Sequence, residues 1–337
     1  MKITSLSFAT ALALLGGSVT AQTASAPKPA EPPPLNLSTL HVQVVLDKLG
    51  FGPGPLDGRE GQSLTAALKG YQMREGLKVT GAMDRATLRS LGRYRNWRPI
   101  VRLRLDQAAL AGPFYPQLRS DPEMQAQMPA LGYRNVMESL AERFHTTPET
   151  LIALNSPQTR LAPGTVIAVP NALRTSKDYQ TDDPKWRATL DSLNVDARVP
   201  QAQRLVIDES DGVLRVYDKA DRLVAQFPAT MGSARDPLPI GRWKINGVSF
   251  NPDYAFDPDL IRTAKPGAKE AKLPPGPNSP VGVVWIDLSK PHYGIHGTPE
   301  PAKIGRTESN GCIRLTNWDA ARLAQMVKPG TKAVFQA

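Results

Sequence analysis

The chain contains one cysteine, Cys312, four histidines, and aromatics at only 6% of its residues. A single cysteine leaves no partner for an internal disulfide, so it is either an intermolecular bridge or a reactive thiol. No apolar run reaches the length of a membrane-spanning helix, which argues against stable embedding in a bilayer. The basic residues are not interleaved with aromatics, and this disfavours nucleic acid as a partner. No cysteine follows the N-terminal apolar segment either, so there is no attachment site for a lipoprotein-type anchor.

What is present points elsewhere. The length of 337 residues suits two or three domains, and the net charge of +10 suits an anionic partner. Lys2, the apolar stretch Leu6 to Leu15 and the small residues Val19-Thr20-Ala21 read as a signal peptide over 1–21, so the chain is expected to be exported. Residues 22–37, rich in proline, read as an extended linker. An exported protein with an odd cysteine in a Gly-flanked turn favours the reactive thiol.

From Leu40 onwards Val42, Val45, Leu46 and Leu49 share one helical face, and Gly50 stops the run. A loop, GPLDG, leads to a second amphipathic helix with Leu64, Leu68 and Tyr71. A similar loop, KVTGAMD, precedes a third short helix. The LDGREG segment, Tyr71-Gln72, Glu75-Gly76-Leu77 and Gly81-Ala82-Met83-Asp84 resemble a small all-α peptidoglycan-binding domain, here residues 38–92.

Residues 93–132 read as a connector with some secondary structure of its own. Over 133–171, Thr147-Pro148 opens the second of two helices, and PGTVIAVPN gives a turn and a strand. Leu140 to Phe144, Leu154-Asn155 and PGTVIAVPN resemble a small α+β LysM module, a fold that binds N-acetylglucosamine glycans. Asn135 to Glu138 stand where that family has Gly-Asp-Thr, so a packing role and glycan binding stay open alternatives. His145 reads as a surface residue of the inter-helix turn. Residues 172–202 read as a linker.

From Gln203 to the end the period is two. VIDESDGVLRVYD reads as a hairpin around Asp211-Gly212. Further strands are expected at Leu223–Ala229, Arg242–Phe250, Val281–Leu288, Tyr293–His296 and Lys332–Phe335. Thr316 or Asn317 caps one clear helix that ends at Pro329-Gly330. The segment from Asn251 to Pro280 has no periodicity and reads as a lid over a site.

The stretch YGIHGTPEPAKIGRTESNGCIRL places His296 at a strand end and Cys312 sixteen positions later. A thiol needs deprotonation to become a nucleophile, and an imidazole can take that proton. Gly311 permits a tight turn whose amides suit an oxyanion, and Arg314 offers a forked cation suited to a carboxylate. Two readings compete: Cys312 as a small core residue, and His292 with His296 as metal ligands. Trp285 and Trp318 read as core residues.

IHGT (295–298), SNGCIRL (309–315), LPIGRWKI (238–245) and LPPGPNSPVG (273–282) resemble the catalytic domain of YkuD-type L,D-transpeptidases, in the Gram-negative murein-linking subgroup. The resemblance covers residues 203–337 and implies a β-rich sandwich of mixed sheets, completing a multidomain chain. It implies Cys312 as nucleophile and His296 as base, with the imidazole oriented by a backbone carbonyl. Gly311, Ser309 and Asn310 would support the loop and oxyanion hole; Asn310 replaces the family's usual histidine. Arg314, Gly297, Thr298 and Tyr293 would contact substrate. No metal or other cofactor is implied. The implied reaction acylates the cysteine with a tetrapeptide stem, releases D-alanine, and passes the acyl group to an amine of a second stem or of an outer-membrane lipoprotein. Partners would be stem peptides and glycan strands, and the location the periplasm. Hydrolysis of the same thioester, or a non-catalytic wall-binding scaffold, are the rival readings.

Overall fold

The computed structural model describes residues 35–233, 235–261, 264–309 and 311–337, and these form one compact unit. The expected signal peptide, most of the expected linker and Asn310 lie outside the described residues. Helix α1 (Leu37–Lys48) starts at Asn36, whose side chain accepts from the amides of Ser38 and Thr39. It ends at Gly50, which takes a φ of 86°. Helices α2 (Gln62–Arg74) and α3 (Arg85–Leu91) complete the N-terminal unit. Leu46, Phe51, Leu64, Leu68, Tyr71 and Leu91 make its core.

The two similar loops of this unit have one physical cause. In each, a buried glutamine on the preceding helix turns its side-chain oxygen onto two consecutive amides. Gln43 accepts from Asp57 at 3.1 Å and Gly58 at 2.8 Å. Gln72 accepts from Thr80 and Gly81, both at 2.8 Å. The sequence repeat is therefore a repeat of loop-holding chemistry.

Strand β1 (Ile100–Arg104) pairs antiparallel with β2 (Val166–Pro170). Between them lie α4 (Pro122–Ala126), α5 (Val136–Arg143) and α6 (Pro148–Leu154). The first strand of this middle unit thus falls in the segment expected as connector. The rest of that segment packs Leu118, Met128 and Leu131 onto Phe256 and Leu273 of the 251–280 segment. The expected 172–202 linker is also replaced by structure. Helix α7 (Pro184–Ser192) carries Trp186 and Leu190 into the main core, capped by Asp183.

The remainder is one nine-stranded mixed sheet. Its strands are β3 (Arg204–Asp208), β4 (Val213–Tyr217), β5 (Leu223–Pro228), β6 (Thr230–Met231), β7 (Gly241–Phe250), β10 (Val284–Leu288), β11 (Gly294–His296), β12 (Ile313–Arg314) and β13 (Lys332–Gln336). The segment expected as a lid forms a separate hairpin, β8 (Tyr254–Phe256) and β9 (Ala271–Leu273). The order is β5-β4-β3-β13-β7-β10-β11-β12-β6, so the expected sandwich is realised as a single sheet. The joint is β7, whose first residues pair with β13 and whose later residues pair with β10. Helix α8 (Asn317–Met326), capped by Thr316, packs its apolar face on the sheet.

Helix α8 also binds the other two units through buried charge. Arg322 lies 3.2 Å from Asp47 of α1 and 3.3 Å from Asp319. The Asp47 carboxylate also meets His145 Nδ1 at 3.0 Å, while the second ring nitrogen of His145 reaches the Leu193 carbonyl at 2.7 Å. His145 stacks on Trp318 at 5.2 Å between centroids. So His145 is a buried junction residue, not the surface residue its turn context suggested. Burial pushes the Asp47 carboxyl up, but Arg322 and His145 outweigh it and hold it well below the ordinary carboxylate range. Its contribution to stability is present at neutral pH and fades as pH falls through that depressed value.

At the sheet edge, Phe51 forms a backbone bridge with Gln226 of β5. Gly52 donates to the Gln226 carbonyl at 2.8 Å, and Gln226 donates back to Gly50 at 2.9 Å.

Removing one member of a buried ion network leaves an uncompensated charge, at a cost of about 3–5 kcal/mol. Asp47→Ala is therefore expected to lower unfolding stability by roughly that amount in chemical denaturation. A loss below about 1 kcal/mol would mean that the network contributes only as much as a solvent-exposed pair.

Candidate active site

Three adjacent strands build the site. Strand β11 runs parallel to β12, pairing Ile295 with Ile313 and His296 with Arg314. It runs antiparallel to β10, pairing His296 with Trp285. Paired residues share a face and side chains alternate along a strand. That face therefore carries Trp285, His296 and Arg314, with Gly294 and Cys312 two residues before the last two. The Leu315 amide donates to the His296 carbonyl at 2.8 Å and closes this corner.

His296 is buried, with 5% of its surface exposed. Its Nδ1 lies 2.7 Å from the Gly297 carbonyl, which can only accept, so this nitrogen carries the hydrogen. Nε2 is left as the basic lone pair. The indole of Trp285 stacks on the ring at 5.5 Å and 18°. Burial lowers the imidazole pKa, and the Arg314 cation lowers it further, to about 4. At neutral pH the ring is uncharged.

Cys312 is half-buried, with Sγ 3.8 Å from the His292 carbonyl. Burial raises the thiol pKa, while the Gly294 amide and the Arg314 cation oppose the rise. The resting pair is thus a neutral thiol and a neutral imidazole. The thiolate has two stabilisers in place when it forms: an amide and a guanidinium.

The loop before the cysteine is fixed at both ends. Gly311 has a φ of 95°, and a Cβ there would come within 2.8 Å of the Tyr293 ring. Only glycine fits both the conformation and the approach. Ser309 is buried and donates its hydroxyl to the Cys312 carbonyl at 2.7 Å. Thr298 is buried, and its hydroxyl oxygen accepts from the Glu300 amide at 3.2 Å, so it shapes the turn after His296. Arg314 is half-buried at the site face, and Tyr293 is half-buried beside Gly311. His292 is exposed in the turn before β11 with a φ of 66°. Among the described residues no group of three His, Cys, Asp or Glu side chains is placed to hold a metal.

Two residues of the site escaped the sequence. Trp285 was expected in the core, but it is half-buried and forms a wall against His296. Tyr254, in the segment read as a lid, is half-buried; burial raises its hydroxyl above the ordinary range, with Cys312 adding to the rise and Arg314 opposing it, so it shares their electrostatic surroundings. Strand alternation around Trp285 held that signal, but only once the β10–β11 register is known.

If the indole keeps water from His296, Trp285→Ala will raise the imidazole pKa from about 4 towards the ordinary 6.5. NMR titration of the ring protons reads this directly. An unchanged midpoint would show that the low value does not depend on the stack.

The chain is similar to known proteins in two stretches. Residues 202–335 match the model of the YkuD L,D-transpeptidase catalytic domain, and residues 38–91 match a peptidoglycan-binding domain model. Three relatives bear L,D-transpeptidase names. A protein of Fuscovulum blasticum is 48% identical over 147 residues, covering 44% of this chain and 72% of that one. YkuD of Bacillus licheniformis is 33% identical over 129 residues, covering 38% of this chain and 62% of the relative. YbiS of Escherichia coli K12 is 29% identical over 137 residues, covering 39% of this chain and 44% of the relative. The chain thus spans less than two thirds of the Bacillus and Escherichia proteins. With almost half of this chain aligned to most of the Fuscovulum protein and its site motifs all inside the matched domain, the protein belongs to the L,D-transpeptidase family.

Proposed function

We propose that this protein is a peptidoglycan L,D-transpeptidase in which Cys312 is the nucleophile and His296 the general base. The carrying observation is the Nδ1–H bond of His296 to the Gly297 carbonyl, which fixes the tautomer with Nε2 free to accept a proton. The Cys312 Sγ–H proton passes to Nε2 as sulfur bonds to the carbonyl carbon of the third residue of a tetrapeptide stem. The amides at Gly311 and Cys312 receive the developing oxyanion, where one such donor is worth ~3 kcal/mol. The bond to D-alanine then breaks, and its nitrogen takes the proton back from His296. An acceptor amine attacks the resulting thioester, loses its proton to Nε2, and releases Cys312 as the thiol. Arg314 stabilises the thiolate and suits a substrate carboxylate. Tyr293, Gly297 and Thr298 are assigned to substrate contact, Ser309 holds the loop through the Cys312 carbonyl, and Asn310 keeps the loop-support role that its motif implies. No step requires a metal or an organic cofactor.

The N-terminal unit supports a wall-bound role through its match to peptidoglycan-binding domains. In the middle unit β1, α5, α6 and β2 follow the strand-helix-helix-strand order of a LysM module, with the 105–135 segment and its short helix α4 inserted after β1, and we assign it a glycan-facing role on that basis. The motifs of the site favour the Gram-negative murein-linking subgroup, with the acceptor a second stem or a lipoprotein lysine. Such chemistry belongs outside the cytoplasm, in the periplasm, as the apolar N-terminal segment also suggests. Among the described residues no helix is long and apolar enough to cross a membrane.

Incubated with disaccharide-tetrapeptide, the protein is expected to yield a dimer lighter by one alanine, seen by mass spectrometry and abolished by Cys312→Ala. A tripeptide monomer alone would make water the acceptor and the protein an L,D-carboxypeptidase. Unchanged substrate would leave a wall-binding scaffold.

The acid limb of kcat/KM reports the base of the free enzyme. With His296 titrating at about 4, activity should hold from neutral pH down to about 5 and fall below that. An acid limb centred near 6.5 would mean a solvated imidazole in the working state.

A further inference from the structure

Glu142 belongs to the middle unit, yet its side chain bonds to the first residue of α8. It lies on α5 and is buried, with 7% of its surface exposed. Its Oε1 accepts from Asn317 Nδ2 at 2.8 Å, across the boundary between the middle unit and the sheet. Asn317 is fully buried at the start of α8. Its second Nδ2 hydrogen reaches the Pro277 carbonyl at 3.0 Å, and its Oδ1 accepts from the Val283 amide at 3.2 Å.

That same Oδ1 presses on the peptide that orients the base. A Cβ on Gly297 would lie 2.1 Å from it, and a Cβ on Gly282 would lie 1.9 Å from it. Two glycines are thus needed simply to let the amide approach. Gly297 is the residue whose carbonyl holds His296 Nδ1. The chain of contacts runs from Glu142 to Asn317, from Asn317 to Gly297, and from Gly297 to His296.

The amide of Asn317 is free to turn about its last torsion unless both ends are held. Glu142 and Pro277 hold the nitrogen; Val283 holds the oxygen. Without Glu142 one donor hydrogen is left buried and unpaired, and the amide has reason to move. Any such movement is felt at Gly297, because there is no spare space between them.

We propose that Glu142 is a positioning residue for His296, supplied by the accessory middle unit and acting through Asn317. This rests on the acyl-transfer reading above. On this account the site is complete only when the middle unit is docked, and that unit contributes to turnover as well as to wall attachment. What Glu142 supplies is an acceptor oxygen at a given reach, not a charge. Burial, opposed by its bonds to Tyr133 and Asn317, raises its carboxyl to about 7, so near neutrality it is partly protonated already. Glutamine should replace it closely.

The test separates reach from charge in the full-length protein. Glu142→Gln keeps the reach and drops the charge; Glu142→Asp keeps the charge and falls short of Asn317; Glu142→Ala drops both. A displacement of ~1 Å in a reacting group can cost on the order of a hundredfold. We expect kcat on disaccharide-tetrapeptide to fall about ten- to a hundredfold for the Asp and Ala variants. KM should change little, and the Gln variant should stay close to wild type. Alkylation of Cys312 by iodoacetamide across pH should rank the four proteins the same way. If Glu142→Asp lowers only the melting temperature and turns over normally, Glu142 merely holds the units together and the proposal fails. It fails equally if Glu142→Gln is as impaired as Glu142→Ala. Should wild type form no product, the transpeptidase reading falls by itself, and the alkylation ranking still decides the role of Glu142.

Discussion

Charge buried away from water must find its partners inside the protein, and here the partners come from three units of the chain. Arg322 of α8 needs Asp47 of α1; Asp47 in turn holds His145 of the middle unit. None of these groups could be left alone at a cost the fold would tolerate. The network therefore makes docking of the units a condition of folding rather than a later association. Apolar contacts fill the interfaces, but they are non-directional, whereas the ion network and the stack of His145 on Trp318 set the orientation.

That orientation matters to the site because the same helix serves both. Helix α8 begins at Asn317, against the Gly297 peptide, and its Arg322 anchors the junction. The first two turns of α8 thus link the charge network to the Gly297 peptide beside the imidazole. At the site itself, burial works in the opposite sense. It removes charge from His296 and Cys312, so that both groups are neutral at neutral pH. The Gly294 amide and Arg314 compensate only once the thiolate exists. Stabilisation that acts on the charged state rather than on the resting one favours turnover over tight binding of the ground state.

Local signals were legible in the sequence, and long-range ones were not. Alternation revealed β3, β4, β5, β7 and β13, the Thr316 cap revealed α8, and apolar residues at helical spacing revealed the first N-terminal helices. The motif around Cys312 and His296 is compact enough to read from the chain alone. Strand β1 was missed because its partner β2 lies more than sixty residues later, with no turn between them to announce a hairpin. Helix α7 was missed despite Asp183-Pro184, a cap followed by proline, and despite Trp186, Leu190 and Leu193 at helical spacing; its polar surroundings suggested a linker. His145 read as surface because Asp47 is some hundred residues away. Trp285 needed the β10–β11 register before its stack on His296 could be seen.

The bridge between Phe51 and Gln226 has a consequence for how the molecule avoids its own kind. An open sheet presents unpaired amides and carbonyls at its borders, a template for any passing strand. Here β5, one border, is met by the Gly50–Gly52 backbone, while β6, the other, is only two residues long. The N-terminal unit is thus also a sheet guard. A catalytic region separated from it would carry an uncovered border and a tendency to pair edge to edge, so the order of the units along the chain protects solubility as well as placement.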